Sequence, residues 1–160
     1  MIKIDELKDM SVEEKYKYML LLIKGQLKTE GDFIANLSNI SAILGSGLDD
    51  INWVGFYLLK DDELILGPFQ GLPACNRIKI GEGVCGNAAM LQKTLRVDNV
   101  HEFDGHIACD SASNSEIVIP LIKESKVIGV LDIDSPNYSR FNQLDEDKLS
   151  SIVEAIVSLI

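Results

Sequence analysis

INWVGFYLLKDDELILGPFQG, residues 51–71, switches the hydrophobic period of the chain from 3.6 to 2. INWVGFYLL reads as a strand, KDDE as a turn and LILGPFQG as the antiparallel partner, so the stretch predicts a hairpin. Ahead of it, Ser11 and Glu14 in SVEEKYKYMLLLI make a capping box, followed by Tyr16, Met19, Leu20, Ile23 and Leu27 at helical spacing. DFIANLSNISAIL, residues 32–44, repeats that spacing with Phe33, Leu37, Ile40 and Leu44, and Gly45 and Gly47 stand where a helix should stop. Behind the hairpin, RIKI and TLRV are short strands on either side of a glycine-led short helix, GEGVCGNAAMLQ. Residues 98–114 read as a long polar surface loop. SEIVIPLI, KES and KVIGVLDID form a second hairpin, and DEDKLSSIVEAIVSLI is an amphipathic helix with Leu149, Ile152, Ile156 and Leu159 on one face. Hairpin-linked strands with helices grouped at the chain ends imply an α+β fold, an antiparallel sheet with the terminal helices packed on one face. One domain is expected over residues 1–160.

Composition narrows the function. Of the 160 residues, 46% are hydrophobic, enough for a sizeable core. Fifteen basic against twenty-five acidic residues leave a net charge of −10, which repels phosphate backbones and anionic lipid and excludes nucleic acid and membranes as partners. MIKIDELKDM lacks the basic and apolar regions of a signal peptide, so a cytoplasmic location is expected.

Carboxylates stand in unusual places. Asp132 and Asp134, two apart in VLDIDSP, leave one face of their strand while Leu131 and Ile133 leave the other. Glu116 opens the strand that pairs with theirs. A wet sheet face would accommodate all three, but aspartate is depleted in strands, and three facing carboxylates repel unless a cation joins them. Trp53 and Tyr57, four apart in a strand, share a face. They suit core packing and equally a pocket wall above the acidic floor.

Three cysteines, Cys75, Cys85 and Cys109, are an odd number for a disulfide framework. None forms the close pair typical of structural zinc sites, so no metal is expected even with His101 and His106 nearby. GEGVCGNA lacks the Lys-Ser/Thr of a phosphate-binding loop. Thiol chemistry remains. Cys85 begins a short helix, where the backbone dipole favours thiolate, and Cys109 lies in a polar loop beside His106 and Asp110; neither position looks like core. Two such cysteines suit a redox pair, one thiol oxidised and the other resolving it as a disulfide.

NWVGFYLL, LGPFQG, PAC, GVCG, DGHIACDSASNSEIVIPL and GVLDIDSP together resemble the free methionine-(R)-sulfoxide reductases, a family of single GAF domains. The resemblance runs from about Asn36 to the C-terminus. It implies reduction of free L-methionine-(R)-sulfoxide, with Cys109 of HIACD attacking the sulfoxide sulfur, Cys85 of GVCG resolving, and Cys75 of PAC auxiliary. It implies that Glu116, Asp132 and Asp134 serve catalysis and substrate binding, and that Trp53 and Tyr57 line the pocket. No cofactor is implied; thioredoxin is the expected reductant. The chemistry fits: a sulfoxide oxygen leaves only when protonated, and a carboxyl crowded by like charges has its pKa raised toward that task. The remaining negative charge suits the ammonium of a free amino acid, and the aromatics suit its S-methyl group, a contact worth about 0.3–1.5 kcal/mol.

The rival is a non-catalytic GAF module that senses a small ligand such as a cyclic nucleotide; it gives no reason for three cysteines. The apolar stripes of the terminal helices also suit a homodimer interface.

Overall fold

In the computed structural model, which describes residues 7, 9–105 and 111–159, both hairpins close through two-residue turns. Strands β1 (Trp53–Lys60) and β2 (Glu63–Gln70) meet across Asp61 and Asp62, at φ 50° and 63°. Strands β5 (Ser115–Lys123) and β6 (Lys126–Ser135) meet across Glu124 and Ser125, at φ 49° and 63°. Two successive left-handed residues make the turn whose twist matches that of the flanking strands. Two short edge strands, β3 (Arg77–Lys79) and β4 (Leu95–Val97), complete a six-stranded antiparallel sheet in the order β3-β2-β1-β6-β5-β4. The first and second hairpins therefore join through β1 and β6 at the centre.

Three helices cover one face: α1 (Val12–Thr29), α2 (Phe33–Gly47) and α4 (Gln143–Leu159). The capping box forms at α1, Ser11 accepting from the Glu14 backbone while the Ser11 N–H donates to the Glu14 carboxylate at 2.9 Å. Met19, Ile23, Leu37, Ile40, Leu131, Ile133, Leu149, Ile152 and Ile156 meet in this core. Tyr16 on α1 donates to buried Asp145 on α4, which also accepts from the Arg140 guanidinium at 3.1 Å, pinning the two terminal helices together. The α+β expectation is met. Among the described residues no helix is long and apolar enough to cross a membrane.

Three details depart from the sequence reading. Helix α2 runs through Gly45 and ends at Gly47. Leu159, expected on the buried face of α4, is 46% exposed because it sits in the last turn beyond the sheet contact. The polar stretch 98–114 is not purely a surface loop: Asn99 caps a 3-10 turn over Val100–Glu102, and the fully buried Val100 donates its N–H to Asn114 O.

The other face of the sheet carries one short helix, α3 (Gly83–Leu91), over a second apolar cluster of Trp53, Tyr57, Val84, Cys85, Ala88, Ala89, Val118 and Val130. Cys85, Glu116, Asp132, Trp53 and Tyr57, all singled out in the sequence, gather under this helix.

Candidate active site

Register brings the acidic and aromatic residues into adjoining rows. Glu116 lies opposite Asp134, and Asp134 opposite Trp53; in the next row Val118, Asp132 and Gly55 align; in the third, Pro120, Val130 and Tyr57. Directly opposed residues share a face, as do residues two apart along a strand. Glu116, Asp132, Asp134, Trp53 and Tyr57 therefore all point to the α3 side. Glu116 and Asp132 are buried, each 6% exposed, while Asp134 at the row's edge is half-buried.

Helix α3 adds the thiol of Cys85, whose Sγ donates to Glu116 Oε1 at 3.9 Å. One ligand atom from each of Cys85, Glu116 and Asp132 lies within 4.8 Å of the other two, the one such Cys/His/carboxylate group among the described residues. Asp132 Oδ1 is buried with no hydrogen-bond partner among those residues. An uncompensated buried acceptor is costly, on the order of 1–3 kcal/mol, and is open to a further hydrogen-bond donor.

Burial dominates the protonation of this cluster. It pushes the Glu116 carboxyl well above its ordinary value; the charges of Asp132 and Asp134 and a hydrogen bond to Asp132 push the same way, and only the Cys85 thiol opposes them. Burial also pushes Asp132 up to about 6, against hydrogen bonds from Cys85, Glu116 and the Ile133 backbone that favour its ionised form. Of the two buried carboxyls Glu116 is thus driven strongly toward its protonated form, with Asp132 as the acceptor beside it. Tyr57 is kept neutral by burial first and then by the surrounding negative charges. The set can donate a proton and accept a cation that brings its own hydrogens; a metal ion here would first have to displace the protons.

Cys85 corrects the thiolate expectation. Its thiol is 3% exposed in the second apolar cluster, and burial followed by the charges of Asp132 and Glu116 raises its pKa well above the ordinary value. A helix dipole supplies about 0.3–1 kcal/mol and up to about 2, whereas full burial can move a group by about 3–5 pK units, so burial wins. The disulfide assignment changes as well. Cys75, half-buried between β2 and β3, is disulfide-bonded, and Cys85 is free. The expectation made Cys85 the resolving partner and Cys75 auxiliary. Cys109 and His106 lie outside the described residues.

Trp53 and Tyr57 are buried and stacked, with ring centroids 5.9 Å apart at 26°. The sequence reading missed Phe69, which also stacks on the indole, at 5.3 Å and 15°. Gly55 is the signal that could have found it, since a glycine within a strand marks a close approach. A Cβ on Gly55 would overlap Phe69 Cβ and come within 2.8 Å of Trp53 Cη2. The polar ends of the two predicted aromatics point to the chain rather than to the carboxylates: Trp53 Nε1–H donates to Leu72 O at 3.1 Å and the Tyr57 hydroxyl to Cys75 O at 3.0 Å.

The family model for the GAF domain matches residues 38–160. The free methionine-R-sulfoxide reductase of Escherichia coli is 54% identical over 131 residues, 82% of this chain and 79% of that protein. The fRMsr of Staphylococcus aureus, solved in complex with substrate, superposes with a TM-score of 0.86 at 51% identity, over 90% of this chain and 94% of that one. The free methionine-R-sulfoxide reductase of Neisseria meningitidis, in complex with its substrate, superposes with a TM-score of 0.87 at 41% identity, over 89% and 86%.

Proposed function

Because the chain belongs to the free methionine-R-sulfoxide reductases of the GAF domain family, we propose that it reduces free L-methionine-(R)-sulfoxide with Glu116 as the proton donor and Cys109 as the nucleophile. The buried cluster of Glu116, Asp132 and Cys85 is the observation that carries this reading, since it sets a carboxyl that burial and like charges drive toward its protonated form beside an unfilled acceptor.

The thiolate of Cys109 attacks the sulfoxide sulfur while the proton of Glu116 passes to the oxygen; methionine departs and Cys109 carries the oxygen as a sulfenic acid. Asp132 Oδ1, with Asp134 at the row's edge, accepts from the substrate ammonium, which a peptide-bound residue lacks. Trp53 and Tyr57 wall the S-methyl side, with Phe69 stacked on the indole.

Three cysteines with Cys75 bonded and Cys85 free support Cys75 as the resolving thiol, paired with Cys109. Cys85 then acts as a neutral hydrogen-bond donor to the carboxylates. Thioredoxin suits the reductant role, because its low potential reduces a functional disulfide. A homodimer is supported by exposed apolar residues on α1 and α2, Val12, Leu21 and Ile34, and sedimentation tests it.

The decisive assay is NADPH consumption coupled through thioredoxin, with free L-methionine-(R)-sulfoxide, the S epimer and the N-acetylated R form supplied side by side. Turnover on the free R form alone is expected. Equal turnover on the N-acetylated form would remove the ammonium argument, and none on any would overturn the reading.

A further inference from the structure

We propose that the hydroxyl of Tyr57, assisted by the indole N–H of Trp53, positions the segment carrying Cys75 for disulfide formation. This rests on the reading of Cys75 as the resolving thiol. Residues 71–76 connect β2 to β3 with no helix or strand of their own. Leu72 is 64% exposed, and Gly71, Pro73 and Asn76 are exposed too, so only the half-buried Ala74 and Cys75 rest on the apolar cluster and the rest of the path has no apolar anchor. Such a stretch lies at the low-stability end of a fold unless hydrogen bonds tie it down.

Two of those ties come from the aromatic wall. Trp53 donates to Leu72 O and Tyr57 to Cys75 O, three residues apart and on either side of Pro73. A third, from Leu66 N–H to Asn76 O, holds the far end to β2. The approach to Trp53 is tight: Gly71, at φ 138°, has no room for a Cβ, which would lie 2.5 Å from Trp53 Cδ1 and 2.9 Å from Asn52 O. Each ring therefore has two ends with different tasks. Trp53 lies in the row of Asp134 and Tyr57 in the row of Val130, on either side of the Asp132 row, while their donor groups grip the backbone that delivers the resolving sulfur.

The step served is the condensation of the Cys75 thiol with the Cys109 sulfenic acid. The Cys75 sulfur displaces oxygen, the S–O bond breaks as the S–S bond forms, and hydroxide leaves with the thiol proton as water. Neither sulfur needs a further oxidant. Fixing the Cys75 backbone raises the local concentration of its thiol, and an unheld segment samples other positions. Tyr57 is a positioning residue in this step, acting through the Cys75 carbonyl.

The test is a single turnover of the reduced protein with free L-methionine-(R)-sulfoxide, following methionine release by rapid quench and the Cys109 sulfenic acid by a dimedone-type probe and mass spectrometry. Tyr57→Phe keeps the ring and removes the donor. Expected is a fall of about threefold to tenfold in the rate of disulfide formation relative to methionine release, the range for losing one neutral hydrogen bond, with sulfenic acid accumulating. Replacing Trp53 by 3-benzothienylalanine removes the other donor at nearly constant ring volume and should move the same ratio in the same direction. An unchanged ratio in both variants overturns the proposal, as does slowed methionine release without sulfenic acid accumulation, which would put the phenol in the first step. If the wild type releases no methionine, the proposed function itself fails; if Cys75→Ser forms its disulfide at the wild-type rate, the resolving assignment fails.

Discussion

Replacing both cluster carboxyls by amides, Glu116→Gln with Asp132→Asn, should make the protein more stable at alkaline pH while abolishing activity. The reasoning is a linkage argument. Asp132 moves from its ordinary 3.8 in the unfolded chain to about 6 in the fold, chiefly through burial. A carboxyl raised on folding leaves stability intact below the unfolded value and takes it away as pH climbs through the folded one. At about 1.4 kcal/mol per pK unit, ionising Asp132 costs the fold roughly 3 kcal/mol in total. About half of that, on the order of 1 kcal/mol, falls between pH 5 and pH 8. Glu116 shifts the same way, so the two carboxyls act in the same direction. For a chain of this length that free energy corresponds to about 2–4 °C in Tm. The measurement is urea unfolding of both proteins in the disulfide-bonded state at pH 5, 6, 7 and 8. The difference between variant and wild type should grow in favour of the variant by on the order of 1 kcal/mol across the series. A flat difference would refute the claim that these carboxyls are buried at the expense of stability.

Gly55→Ala should lower stability by about 1–3 kcal/mol and raise KM for the sulfoxide, because the new methyl meets Phe69 backbone and side chain as well as the Trp53 ring; denaturant midpoints and steady-state kinetics check it. Cys85→Ser should sustain multiple turnovers with thioredoxin, whereas Cys75→Ser should stall after one turnover with Cys109 oxidised. Mass spectrometry of the stalled protein separates these two outcomes, and the reverse pattern restores Cys85 as the resolving thiol.

Local rules carried the architecture. A period of two on each side of KDDE and KES, with turn residues that tolerate left-handed backbone, specifies two hairpins whatever surrounds them. The capping box at Ser11 and Glu14 and the apolar spacing of α1 and α4 are likewise properties of short stretches. Alternation within β6 already put Asp132 and Asp134 on the face opposite Leu131 and Ile133, and β1 put Trp53 with Tyr57. Where the rules were applied to ends, they slipped: Gly45 did not stop α2, and Leu159 hangs past the sheet.

The sequence alone thus determined the class, the two hairpins, the sharing of faces and, through its motifs, the family. Tertiary structure decided how β1 and β6 meet, and with it the row of Glu116, Asp134 and Trp53, because the register between strands distant in sequence is set by the joint burial of both sheet faces. It also decided the chemistry of Cys85. A helix-start position suggested thiolate, but burial outweighs the dipole, and much of it comes from Trp53, Tyr57, Val118 and Val130 on strands distant in the chain, as do the charges of Glu116 and Asp132. The same holds for the disulfide at Cys75: spacing along the chain carries no information about which sulfur can reach another, since that distance is a property of the folded backbone.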